Sequence, residues 1–251
     1  MAREVQRSEP KDLAFLTARP FAHRGLHGAG GFVENSFAAF DRAIDEGFGI
    51  ELDVRLTADK SAVVFHDADL RRLVGLDRHV HELTVGELGN CHLNGCGEPI
   101  RALREAIIHL GGRAPLLIEA KSPGRHGVES LCRAIRRAIE GANAWAAVMS
   151  FDPRIVAWFR EHSPQTARGL VITDEGESAL KRYIKTHYWI RKARPHFLAF
   201  DIRSLPSPLA QQFRAASCPV LTWTVRTEAE HATAAAHADQ TIFELPQVNA
   251  R

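Results

Sequence analysis

The chain has 251 residues, 45% apolar and 25% charged, which is ordinary for a globular protein with a full core. Thirty-two basic against thirty acidic residues leave a net charge of +2, and no basic run exceeds short pairs, which argues against nucleic acid or an anionic membrane surface as partner. The N-terminal stretch "MAREVQRSEPKDLAFLTARP" lacks a signal-like apolar segment, and no apolar run reaches about 18 residues, so the sequence reads as a soluble, cytoplasmic protein without stable membrane insertion.

In chain order, the first expected strand is "PFAH" at 20–23. "ENSFAAFDRAIDEG" then carries apolar residues at helical spacing, with Asn35 or Ser36 as the N-cap and Gly47 as the stop. "GIELDVRL" at 49–56 alternates strictly: Ile50, Leu52, Val54 and Leu56 share one face, and Glu51, Asp53 and Arg55 the other. "SAVVFH" (61–66) and "APLLIEA" (114–120) are the next strand candidates. The helical "GVESLCRAIRRAIEG" leads to "WAAVMSF" (145–151), and "DPRIVAWFREHSP", closed by Pro164, leads to "ARGLVIT" (167–173). "HFLAF" (196–200), "PVLTWTV" (219–225) and a weaker "QTIFEL" (240–245) complete the set. The four cysteines, Cys91, Cys96, Cys132 and Cys218, are scattered and read as reduced thiols rather than a zinc site.

Alternating strands and helices imply a parallel sheet covered by helices on its outer face. The predicted fold is α/β, a (β/α)8 TIM barrel, with residues 1–251 as a single domain. Nine candidates compete for eight places, and either 196–200 or 240–245 is expected to be the spare. In such a barrel Ile50, Leu52 and Val54 pack under helices, so Glu51 and Asp53 face inward, where burial is tolerable only with a counter-charge.

Four strand ends repeat one design, polar residues where an apolar run stops: "AHRG", "ELD", "FHD" and "IEAK". Glu51 and Asp53 are two residues apart, so their Cα atoms lie about 7 Å apart on one face. With Glu119 they make a hard-oxygen set suited to one divalent cation, Mg2+ or Ca2+. His23 and His66, expected on neighbouring strands, suit an acid–base pair near neutral pH. Arg24 and Lys121 offer fixed positive charge to a phosphate oxygen. Three carboxylates and a divalent cation sum to −1, and the two basic residues bring the site to +1, which a phosphodiester monoanion neutralises.

The motifs "HRG", "VENSFAAF", "IELDVRLTAD", "VVFHDADLRR", "EPIRALREAI", "LLIEAKS", "MSFDP" and "LTWTVR" resemble, in order and spacing, the glycerophosphodiester phosphodiesterase family over about residues 20–246. The resemblance implies the same barrel, with Glu51, Asp53 and Glu119 as metal ligands, His23 and His66 as catalytic histidines, and Arg24 and Lys121 as phosphate contacts. It also implies hydrolysis of a small-molecule glycerophosphodiester to an alcohol and sn-glycerol 3-phosphate, through a cyclic phosphate opened by water. Three positions depart from the family pattern: Glu244 stands where Asp is usual, Phe243 where Thr is, and Arg226 replaces an Asn.

Trp223 reads either as core filling or as a wall of the substrate pocket. Glu34 and Asn35 are expected to brace the rim or cap a helix. Two other activities fit the chain less well. A lysophospholipase D-like enzyme would show an apolar entrance or a membrane-docking helix. A catalytically silent phosphometabolite-binding barrel would lack one of the acids or histidines.

Overall fold

The computed structural model describes residues 12–28, 31–124, 126–142, 145–173 and 179–245. Nine strands run in chain order: β1 (Phe21–Ala22), β2 (Gly49–Leu56), β3 (Ala62–Val64), β4 (Leu116–Ala120), β5 (Ala146–Ser150), β6 (Ala167–Ile172), β7 (Phe197–Asp201), β8 (Val220–Val225) and β9 (Gln240–Phe243). Eight of them pair in parallel in the order β1-β9-β8-β7-β6-β5-β4-β2, and β1 pairs back to β2, closing a (β/α)8 barrel.

The spare strand is β3, not 196–200 or 240–245, both of which are barrel staves. It lies antiparallel against the end of β2, with Val54 opposite Val64 and Leu56 opposite Ala62. One further expectation shifts with it. His66 follows β3, so it does not end a strand next to the one carrying His23. β4 is the immediate neighbour of β2, with Asp53 directly opposite Glu119.

Each stave has two buried faces, as parallel strands under helices require. The outward residues Ile50, Leu52, Val54, Leu116, Ile118 and Val148 join the helices in one apolar layer. That layer includes Phe40 and Ala43 of the helix Phe37–Asp45, Leu131 and Ile135 of Val128–Ile139, and Ile155 and Phe159 of Pro153–His162. The first of these helices starts at Ser36, whose hydroxyl accepts from the Ala39 N–H, and the third starts at Asp152, which caps Arg154 N–H. Inside the barrel, Phe21, Leu117, Ala147, Met149, Phe197, Leu221 and Ile242 fill the lower half. The next inward positions up are His23, Glu51, Asp53 and Glu119, so the interior changes from apolar to charged toward the C-terminal ends of the strands. That end is where active sites form in this architecture.

The segment after β3 builds a third apolar cluster of its own, in which Val63, Phe65, Leu70, Val80, Leu88 and Ile100 pack together beside the barrel mouth. Among the described residues, no helix is long and apolar enough to cross a membrane. The cysteines are free thiols, as expected.

Candidate active site

β1 is only two residues long, and its end turns sharply. Arg24 and Gly25 both take left-handed backbone, with φ of 56° and 77°. The turn swings the Arg24 N–H inward to donate to Glu51 Oε2 at 2.9 Å, while the guanidinium Nε lies 3.1 Å from Asp53 Oδ2. A side chain at Gly25 would meet the Ala39 backbone and the Phe40 ring at 2.9 Å, so the turn fits against the first helix only with glycine.

Glu51 and Asp53 are fully buried and Glu119 is 6% exposed, and one oxygen from each lies within 4.8 Å of the others. Lys121 Nζ lies 2.8 Å from Asp53 Oδ1 and also pairs with Glu119. Asn35, at φ 58°, donates its side-chain amide to Asp53 Oδ2 at 3.0 Å. Two cations and an amide thus surround Asp53, and although burial alone would raise its carboxyl, Lys121 and Arg24 hold it well below the usual range. Glu51 moves the other way: burial, then the charges of Asp53 and Glu119, push its carboxyl well above normal. Burial also raises Glu119.

Glu51 Oε1 is buried without a hydrogen-bond partner among the described residues. An orphaned carboxylate oxygen facing two other carboxylates is costly unless something positive sits there. The donors are all hard oxygens, the set that Mg2+ or Ca2+ takes. The three residues therefore fit a divalent cation.

Two imidazoles flank this cluster, each with its Nδ1 hydrogen-bonded to a carboxylate. His23 donates to Glu244 Oε1 at 2.5 Å, and His66 to Asp67 Oδ1 at 2.7 Å. With Nδ1 engaged, Nε2 is the remaining ring nitrogen of each histidine, and His23 Nε2 is 3.9 Å from Glu51 Oε2. Burial lowers the pKa of both rings, which favours the neutral form at neutral pH.

The carboxylates behind the histidines are themselves held. Asp67 accepts from Arg72 Nε at 2.7 Å, and Arg72 also grips Glu34 with both terminal nitrogens at 2.7 Å. Glu34 in turn accepts from Arg24. Glu34 and Asn35 therefore brace the rim as expected, Glu34 through cations and Asn35 through Asp53, while the capping role falls to Ser36.

Sequence reasoning missed Arg72 as a link and the contact of Glu244 with His23. Their signal was charge complementarity between distant residues, with no local spacing to reveal it. His27, which sequence reasoning left without a role, lies with its Nε2 3.8 Å from Glu244 Oε1. Trp223 is half-buried at the upper edge of the interior, donates its indole N–H to Ala199 O at 3.2 Å and meets Phe151 edge-on at 5.3 Å. It packs against the apolar interior of the barrel.

Fold and site together define a (β/α)8 barrel whose mouth carries three converging carboxylates, two histidines and two cations. The chain belongs to the glycerophosphoryl diester phosphodiesterase family, whose sequence pattern matches residues 23–239. Among curated proteins it is similar to lysophospholipase D of Rattus norvegicus, 43% identical over 79 residues, which is 31% of this chain and 24% of that protein. It is also similar to a glycerophosphodiester phosphodiesterase of Caldanaerobacter subterraneus, 37% identical over 109 residues, 40% of this chain and 44% of that one. These matches span less than half the length of either relative. Among solved structures, a phosphodiesterase of Oleispira antarctica in complex with sn-glycerol-3-phosphate superposes with a TM-score of 0.78 at 21% identity, covering 91% of this chain and 93% of that one. A glycerophosphodiester phosphodiesterase from Thermotoga maritima gives 0.71 at 25% identity, covering 89% and 92%.

Proposed function

We propose that the protein hydrolyses glycerophosphodiesters to an alcohol and sn-glycerol 3-phosphate, with one divalent cation held by Glu51, Asp53 and Glu119. The observation that carries this reading is the convergence of those three buried carboxylates, one of them with an orphaned oxygen, between two carboxylate-backed histidines. Family membership and the glycerol 3-phosphate bound by the Oleispira antarctica phosphodiesterase support the substrate class.

The cation, when bound, supplies Lewis-acid charge to a phosphoryl oxygen and lowers the pKa of the attacking hydroxyl. Lys121 and Arg24, at the edge of the cluster, bind the remaining non-bridging charge of the phosphodiester. A glycerol hydroxyl attacks phosphorus, and one histidine takes its proton at Nε2. The other histidine delivers a proton to the departing alkoxide, giving a cyclic glycerol phosphate that water opens with the roles reversed. Glu244 and Asp67 fix the tautomer, so that each Nε2 and not Nδ1 does this work.

The test is incubation with a panel of glycerophosphodiesters, with and without Mg2+, Ca2+ or Mn2+, and identification of both products. Cation-dependent release of glycerol 3-phosphate is the expected result. Turnover that survives thorough chelation and dialysis overturns the role of the carboxylates, and an inert protein in every cation overturns the activity.

A further inference from the structure

A cleft of about 590 Å3 opens beside the carboxylate cluster, between the β2–β3 hairpin with its following segment and the chain that leaves β4. Arg55, Lys60, His81, Lys121 and His126 line it, and among the described residues no Asp or Glu does. Asp59, next to Lys60, turns its carboxylate away to the Thr57 hydroxyl at 2.5 Å and the Val85 N–H at 3.1 Å.

Arg55 extends the inward row of β2 past Glu51 and Asp53, so it stands where the reaction centre meets the cleft. Its Nε donates to the His66 carbonyl at 2.6 Å, which fixes the guanidinium. Its two terminal nitrogens have no hydrogen-bond partner among the described residues. Lys121 is ion-paired with Asp53 and Glu119, whereas Arg55, which feels the more distant charge of Asp53, and Lys60 make no direct ion pair among the described residues. Away from the cleft lining, Phe151 after β5 and Trp223 on β8 meet edge-on, with the Phe151 ring exposed.

A phosphodiester has two arms. The glycerol arm is short and uncharged, which leaves the two cations unmatched. Two cations match a phosphate monoester, which carries about −1.5 to −2 charge near neutral pH and accepts paired hydrogen bonds from a guanidinium. We infer that this cleft is the subsite for the alcohol arm, and that it selects glycerophosphodiesters whose alcohol bears a second phosphate. The inference rests on the phosphodiesterase reading and names its substrate class.

Two measurements test it separately from that reading. Initial rates are compared for glycerophosphocholine, glycerophosphoglycerol and a phosphorylated glycerophosphoinositol. The expected kcat/KM is highest for the phosphorylated head group, by roughly tenfold or more, and Lys60→Glu collapses that ratio. Hydrolysis of all three at similar kcat/KM leaves the phosphodiesterase reading standing and overturns the subsite. Calorimetric titration with inositol monophosphate then reads the cleft without turnover. Binding that Lys60→Glu weakens roughly tenfold supports the subsite. Absence of binding, or binding indifferent to that substitution, overturns it even if no diester is cleaved.

Discussion

Arg226 and Glu244 meet at the rim between β8 and β9, with Arg226 Nε donating to Glu244 Oε2 at 2.7 Å. The other oxygen of Glu244 accepts from His23. Glu244 and Arg226, two of the three departures from the family pattern, are therefore one feature, a carboxylate one methylene longer than Asp that is held by its own cation while it orients an imidazole. Burial works to raise the Glu244 carboxyl, but its hydrogen bonds from His23 and Arg226, with the His27 ring 3.8 Å away, hold it well below the usual range.

Glu244→Gln should lower kcat roughly 10- to 100-fold with a smaller change in KM, since it disturbs the histidine and not the substrate. The Glu244 hydrogen bond raises the His23 pKa against the burial that lowers it. Without that carboxylate, the limb of the pH–rate profile that follows His23 moves to lower pH. Arg226→Ala should cost less than about tenfold, because it removes only the support behind Glu244. An unshifted profile for Glu244→Gln would sink this account.

Added Mg2+ or Ca2+ should raise Tm more as pH rises from about 5.5 to about 8. Burial, with the charge of the neighbouring carboxylates, raises the Glu51 and Glu119 carboxyls above the ordinary glutamate range, so above that range the folded, cation-free protein holds protons that the unfolded chain has released. Their contribution to stability therefore falls as pH rises through this window. A cation needs both groups ionised and reverses that loss. Thermal unfolding with and without cation at each pH reads the difference, and a cation effect that is flat or shrinks with pH contradicts it.

His66→Ala and His23→Ala should each reduce turnover by roughly 10²–10⁴-fold, the usual cost of losing a general acid or base. Circular dichroism and thermal unfolding of the same variants check that the barrel is intact. Near-wild-type turnover in either variant excludes the paired-histidine scheme.

Asn35→Ala should weaken divalent-cation affinity about 10- to 100-fold, as loss of a residue that orients a ligand typically does. Asn35 both donates to Asp53 Oδ2 and accepts from the Asp53 N–H at 3.3 Å, so it fixes the carboxylate and the strand that carries it. Titration of the cation against the variant measures this directly.

Gly25→Ala should destabilise the fold by about 1–3 kcal/mol, because the added methyl meets backbone and the residue must keep φ at 77°. Denaturant unfolding checks the size, and an unchanged midpoint would show that the turn after β1 has room to relax.

The barrel was legible because alternation along "GIELDVRL" and the apolar runs of the later strands report two buried faces, which only helices outside and side chains inside can supply. The identity of the spare strand was not. Ala62 and Val64 pack into the outer layer and Val63 into the neighbouring cluster, so β3 is as apolar as a stave. Periodicity reports burial and says nothing about the pairing partner. The three carboxylates were readable from spacing, since Glu51 and Asp53 are two apart and Glu119 repeats their position on another strand end. His23 and Glu244 are separated by 221 residues, and only closure of the sheet brings them together.

His66 enters the centre from the segment after β3, and that segment packs chiefly on its own cluster around Leu70, Val80 and Leu88. The two histidines consequently stand on separate foundations: His23 on the closed sheet, His66 on an annex with a small core of its own. Damage to that annex, such as Leu88→Ala, would loosen one half of the acid–base pair while the staves stay paired. Folding and turnover can therefore be lost independently in this protein, and the boundary between them runs along the seam where β3 joins β2.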